Sequence, residues 1–182
     1  FTIVILFICT CIPVIFECVR SRQHAKKKPR GKRYDYINVG GYSLCCVYSD
    51  AIVNDDEEAK KKPVVIFFSG LGMPITPIFD YLQQEFKNHR FVAIDRANYG
   101  FSDDVPASHK WYYRDAHNSV AELRAVLRSP DFKFHNEKQF LLVGGSHGGL
   151  TALHYYYTHP EDVCGMVFLD PSTPDFYTRA VP

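Results

Sequence analysis

Gly144-Gly145-Ser146-His147-Gly148-Gly149 follows the apolar run Phe140–Val143 directly and opens a stretch of helical character, His147–Thr158. A serine flanked by small residues at a strand-to-helix junction is the pattern of a nucleophile elbow. The turn is strained, and it lets strand and helix approach so closely that only small neighbours fit. It lifts the serine Oγ above the sheet and aims the next backbone N–H, that of His147, at the same space. The chemistry this serves is attack on a carbonyl by Ser146, with that N–H stabilising the developing oxyanion. A second donor is expected from Ser69-Gly70-Leu71-Gly72, after the apolar run Val64–Phe68, and the Leu71 N–H is the best placed. Phosphate chemistry does not fit. There is no Gly-Lys-Ser/Thr ending and no G-x-G-x-x-G. No cofactor and no metal site are expected, and a glycine turn with an incidental serine is the alternative to the elbow.

The elements that would carry these loops can be read from the pattern. YDYINV and YSLCCVYS flank Gly40-Gly41 as two β-rich runs of a hairpin. Asn54–Lys62 (NDDEEAKKK) lacks periodicity and reads as a charged loop. VVIFF and FVAI are short continuous apolar runs, the signature of strands buried on both faces. Ile78, Phe79, Leu82 and Phe86 have helical spacing, as do Val120, Leu123, Val126 and Leu127 within a helix expected over Trp111–Arg128. QFLLVG, His147–Thr158 and VCGMVFLD continue as strand, helix, strand. This alternation specifies an α/β fold with a mostly parallel sheet, a leading antiparallel hairpin and helices on both faces. In such sheets ligands bind outside the carboxyl ends of the strands, where all the loops above lie.

The third carboxyl end is Asp95-Arg96-Ala97-Asn98-Tyr99-Gly100-Phe101-Ser102-Asp103. Taken in order, SGLG, DRANYGFSD and GGSHGG resemble the α/β-hydrolase superfamily, and most of all its lidded esterase- and lipase-like members with a DRxGxGxS stretch. The likeness runs from about Tyr34 to Pro182. Asn98 stands where that pattern has its first glycine, and Asn is the residue that best replaces glycine at positive φ. The resemblance implies Ser146 as nucleophile, Leu71 and His147 N–H groups as oxyanion donors, and structural roles for Asp95 and Arg96. It places the triad acid after a later strand and the histidine after the last one, so the chain is expected to be a fragment lacking the base. Asp170, at the end of the strand after the elbow helix, matches the acid of some members; its other reading is a turn former before Pro171.

No histidine here replaces the missing base. His147 begins the elbow helix and its ring does not turn back easily on Oγ. His154 and His159 lie roughly 12 and 20 Å along the helix at 1.5 Å per residue, against the roughly 3 Å that proton transfer needs. The function expected is that of a membrane-anchored serine hydrolase acting on small-molecule or lipid esters. The alternative is a non-catalytic hydrolase-like binding protein. Epoxide hydrolase or dehalogenase chemistry is disfavoured, since it uses an Asp at the elbow.

The chain has 182 residues and a formal charge of +1, which hides a split. Arg20–Arg33 holds eight of the 21 Lys/Arg and no acid, while from Tyr34 onward acids outnumber bases 19 to 13. A basic patch so confined, followed by an acidic body, argues against nucleic-acid binding. It follows the apolar run Phe1–Phe16, slightly short for a span of about 17–25 residues, and position 1 is not Met. Residues 1–19 are therefore expected to be an incomplete transmembrane anchor, 20–33 a juxtamembrane linker and 34–182 a partial α/β-hydrolase domain. A signal peptide and a buried helix are the alternatives for the first segment. Basic residues beside a span favour the cytoplasmic side, which places the domain there in a single-pass arrangement. The six cysteines lack metal or disulfide spacing. Cys45 and Cys46 alternate along a strand, so one is expected in the core and the other exposed, while Cys18 sits where S-palmitoylation occurs.

Overall fold

A computed structural model describes residues 28–106 and 116–172. The expected anchor at 1–19, most of the basic linker, the start of the helix expected from Trp111, and residues 173–182 lie outside these. Among the described residues no helix is long and apolar enough to cross a membrane.

The elements are β1 (Tyr34–Asn38), β2 (Ser43–Tyr48), the short helices α1 (Asp50–Val53) and α2 (Glu57–Lys60), then β3 (Val64–Phe68) and α3 (Thr76–Glu85). There follow β4 (Phe91–Ile94), α4 (Ala116–Leu127), β5 (Phe140–Ser146), α5 (His147–Thr158), a 3-10 turn (Pro160–Asp162) and β6 (Val163–Pro171). The six strands form one sheet in the order β1-β2-β4-β3-β5-β6. β1 and β2 pair antiparallel, as does β2 with β4, and the remaining pairs are parallel. The parallel strands β3 to β6 therefore end on one edge, where the three loops singled out in the sequence emerge.

Both faces of the sheet are covered. One carries α3, with Ile75, Phe79 and Leu82 packed on Val65, Phe67, Phe91, Ala93 and Val143. The other carries α4 and α5, whose Val120, Leu123, Val126, Leu127, Ala152 and Tyr155 meet Ile66, Phe68, Val92, Ile94 and Leu142. Every residue of β3 and β4 is buried, which is why these strands read as unbroken apolar runs. The same double covering corrects the expectation for the adjacent thiols. Cys45 and Cys46 are both at 0% exposure, one in each core layer, because both faces of the sheet are covered at β2.

Asn54–Lys62 is also more ordered than a charged loop. The Asp56 carboxylate caps α2 by accepting from the Glu58 and Ala59 N–H groups, and Glu57 pairs with Lys60; such caps are worth about 1 kcal/mol. The far end of the domain is tied by Asp162, which accepts from the Tyr155 hydroxyl at 2.7 Å, from Arg124 at 2.9 Å and from Arg128. Burial alone would push the Asp162 carboxyl up, but the Arg128 and Tyr155 hydrogen bonds and the charges of Arg128 and Arg124 outweigh it and hold the group below the usual range. β6 is the last strand in the order, and Val167, Phe168 and Leu169 are 40–42% exposed along it.

Candidate active site

Ser146 stands at the junction of β5 and α5 with φ 49° and ψ −122°, a conformation that L-residues with a side chain rarely adopt and that stores strain. Three glycines make it possible. A Cβ on Gly148 would lie under 3.0 Å from the Phe68 carbonyl, one on Gly144 as close to the Gly148 backbone, and one on Gly149 as close to the Pro171 side chain. The elbow helix thus rests directly on the ends of β3, β5 and β6. Ser146 is solvent-exposed, its carbonyl accepts from the Ser172 N–H at 2.9 Å, and its Oγ is 3.5 Å from the Ser172 Oγ.

The Ser69–Gly72 loop lies beside the serine. A Cβ on Gly70 would fall 3.3 Å from the Ser146 Cβ and 3.7 Å from its Oγ. The Leu71 side chain is 62% exposed, and among the described residues none accepts from its N–H. His147 opens α5, where the first N–H groups of a helix have no intrahelical acceptor. The two expected oxyanion donors therefore sit on the two loops that border the serine.

The DRANYGFSD stretch braces this edge. The Asp95 carboxylate is fully buried and accepts from the Ile75 N–H at 2.8 Å and the Phe101 N–H at 3.1 Å. Burial nevertheless raises its pKa to about 6. Ser102 Oγ donates to the Asp95 carbonyl at 2.6 Å and accepts from the Cys45 N–H at 2.8 Å, which ties the turn to β2. Asn98 takes φ 69° and its Oδ1 accepts from the Val105 N–H at 2.9 Å, so it fills the glycine position at the cost its residue type tolerates best.

Arg96 does more than the sequence suggests. Its Nη1 donates to His147 Nδ1 at 3.0 Å, its Nη2 to the Gly70 carbonyl at 2.7 Å, and its guanidinium lies 4.7 Å from the Tyr99 ring centre. A guanidinium only donates, so Nδ1 is the acceptor and the neutral His147 ring carries its proton on Nε2. Burial, and then the Arg96 charge, push this histidine down to about 4. It is neutral at neutral pH, with its Nδ1 lone pair engaged by Arg96, which suits it poorly as a base for Ser146.

The other described histidines lie elsewhere, His89 against Phe86 just before β4, at the opposite end of the strands from Ser146. His154 and His117 meet each other across α4 and α5, Nε2 to Nδ1 at 3.1 Å. His159 caps α5, and His135 Nδ1 lies 2.8 Å from the Phe132 carbonyl. Asp170 lies on β6 at φ 47°, exposed, one residue before Pro171, the register partner of Ser146. Among the described residues none hydrogen-bonds its carboxylate, so a turn role and an acid role both remain compatible with its place. No group of three or more metal-ligating side chains is found among the described residues. The Arg96 link and the Ser172 contact had no signal in the sequence, since both depend on how loops distant along the chain meet.

A model of the alpha/beta hydrolase fold matches residues 63–182, and the chain belongs to that family. Among curated proteins it is similar to the uncharacterized protein YbdG of Bacillus subtilis (strain 168), at 26% identity over 128 residues, 69% of this chain and 36% of that protein. Among solved structures it is similar to alpha/beta hydrolase domain-containing protein 10 from mouse, with a TM-score of 0.61, 21% identity, and coverage of 82% of this chain and 54% of that one. It is also similar to epoxide hydrolase I of potato (Solanum tuberosum), with a TM-score of 0.58, 18% identity, and coverage of 74% and 38%. At these identities the structural likeness shows the fold. The chain spans 36% of the length of the curated relative it matches.

Proposed function

We propose that the protein is a serine hydrolase of carboxylic esters, lipid esters included, working through an acyl-enzyme on Ser146. The observation that carries this reading is the backbone of Ser146, held at φ 49° at a strand-to-helix turn with its side chain exposed. A strained serine persists only where the surroundings over-determine it, and such sites cluster where chemistry is done. In this reading the Ser146 Oγ attacks the acyl carbon and its proton passes to a histidine base outside the described residues. The oxyanion is met by the Leu71 and His147 N–H groups, the ester C–O bond breaks, and the alcohol leaves with the proton. Water then attacks the acyl-enzyme, releasing the acid and restoring the Ser146 hydroxyl. Asp170 is the proposed acid. Residues 1–19 are proposed to anchor the protein in a membrane, with the domain on the cytoplasmic side of the basic run 20–33.

The decisive experiment is labelling of the full-length protein by a fluorophosphonate probe, which reports an activated serine. Wild type is expected to label and Ser146→Ala to be silent. Absent labelling, or labelling unchanged in Ser146→Ala, refutes the serine-hydrolase reading and leaves the non-catalytic binding protein in its place. Protease digestion of sealed membranes tests the orientation; a domain that resists protease added at the cytoplasmic face refutes it.

A further inference from the structure

The Gly70 carbonyl and the Leu71 N–H belong to one peptide plane, and in a trans peptide they point in opposite directions. Whatever fixes the carbonyl therefore aims the N–H. Arg96 Nη2 holds that carbonyl at 2.7 Å, and among the described residues the other donor to it, the Met73 N–H, is at 3.4 Å. Ser69 Oγ ties the loop to the Met73 carbonyl at 2.8 Å, a bond that does not involve this peptide plane. Gly70 and Gly72 lack side chains, Gly72 takes φ 76°, and Leu71 is 62% exposed. The other arm of the same guanidinium reaches His147 Nδ1 at 3.0 Å, on the residue whose own N–H opens α5.

We propose that Arg96 is a positioning residue for the oxyanion hole: a two-armed clamp that orients the Leu71 peptide and couples it to the His147 end of the elbow. This rests on the serine-hydrolase reading. Arg96 does not touch the reacting atoms; it sets the angle and separation of the two donors that do. Donors fixed before substrate arrives need no reorganisation as charge develops, and that is the source of their catalytic value. The rigid, planar fork of arginine suits two acceptors on different loops, which the single ammonium of lysine cannot reproduce. The Tyr99 ring, 4.7 Å from the guanidinium carbon, completes the seat.

The test compares wild type, Arg96→Met and Arg96→Lys in the full-length protein, with Ser146 titrated by the fluorophosphonate probe and turnover of an aryl ester expressed per titrated serine. Loss of one oxyanion donor costs about 100- to 1,000-fold in kcat. Losing the orientation of both, without removing either, is expected to lower kcat by about 10- to 100-fold in Arg96→Met, with KM within about twofold of wild type. Arg96→Lys, keeping one arm on the Gly70 carbonyl, is expected to recover part of the loss. The backbone amide resonances of Leu71 and His147 are expected to move in Arg96→Met while those of Val92 and Leu142 stay. A merely structural role would lower the titre of active serine and leave kcat per site alone. Wild-type kcat per titrated Ser146 in Arg96→Met overturns the clamp and leaves the hydrolase reading standing. If Arg96→Met does not fold, Arg96→Lys decides, and wild-type kcat with an unmoved Leu71 amide overturns the proposal. Wild type that neither labels nor turns over overturns the hydrolase reading and the clamp's catalytic role with it.

Discussion

Replacing Ser146 by glycine should stabilise the protein, and replacing it by alanine should not. Ser146 is held at φ 49°, ψ −122°, a sparsely populated region in which a residue with a Cβ costs about 1–3 kcal/mol. Glycine escapes that cost but loses more freedom on folding, about 0.5–1 kcal/mol. The balance favours Ser146→Gly by about 0.5–2 kcal/mol. Ser146→Ala keeps the Cβ and the strain. It gives up only an exposed hydroxyl that lies 3.5 Å from the Ser172 Oγ, so it should stay within about 0.5 kcal/mol of wild type. For a domain of this size each kcal/mol moves the melting point by about 2–4 °C, which puts Ser146→Gly about 1–8 °C above Ser146→Ala. Calorimetry and urea unfolding measure the difference, and an unchanged urea slope ensures that the unfolded states are comparable. Both variants lack the hydroxyl and both should be silent to the probe. A glycine variant melting at or below the alanine variant would show that the turn stores no strain, and the argument from strain to an active serine would fall.

Gly148→Ala, whose Cβ would meet the Phe68 carbonyl under 3.0 Å away, should lose about 3 kcal/mol by forcing α5 off β3; wild-type stability in urea would refute the close-packing account of the elbow. Asp162→Ala should cost about 3 kcal/mol, the low end for a broken buried pair, because Arg124 and Arg128 keep about a third of their surface in water; a loss under about 1 kcal/mol in urea unfolding counts against it. Two buried groups should tilt the pH dependence in opposite directions. Burial raises Asp95 to about 6 from roughly 3.9 unfolded, so its contribution is full below the unfolded value and is lost as pH rises through 6. Burial and the Arg96 charge lower His147 to about 4 from roughly 6.5 unfolded, so its contribution is present above the unfolded value and is lost as pH falls. The Asp95 contribution amounts to about 3 kcal/mol, and that of the half-buried His147 is smaller because solvent screens it. Asp95→Asn should therefore steepen the loss of stability between about pH 6 and pH 4, and His147→Gln should tilt the curve the other way. Parallel curves for the two variants and wild type, from urea unfolding at several pH values, would refute both assignments.

The order of elements and the elbow were legible because both are written in local pattern. FLLV, the run of small residues and the helix that follows need no distant partner to be recognised, and Ser146 was identifiable from them. Asn98 was legible for the same reason, since a positive φ is a local demand. What depended on tertiary placement was not. Alternation along β2 predicts one exposed thiol, and only the layer of helices on each face buries both. NDDEEAKKK shows no periodicity because its one helix lasts a single turn, although Asp56 before two glutamates is a readable cap. Arg96 carries no sign in the sequence of its bonds to Gly70 and His147, because those residues meet it only when the edges of β3, β4 and β5 come together.

The two adjacent thiols of β2 also make the protein its own chronometer of opening. Cys45 faces the layer under α3 and Cys46 the layer under α4 and α5, and burial pushes both thiols up, away from the reactive thiolate. Neither reacts until its own layer lifts, whereas Cys164 is exposed and reacts at once. Because the pair shares one strand, chain position and local backbone order are the same for both. Any difference between their alkylation rates therefore reports which helical layer departs first, and equal rates report that the sheet loses both coverings in a single event.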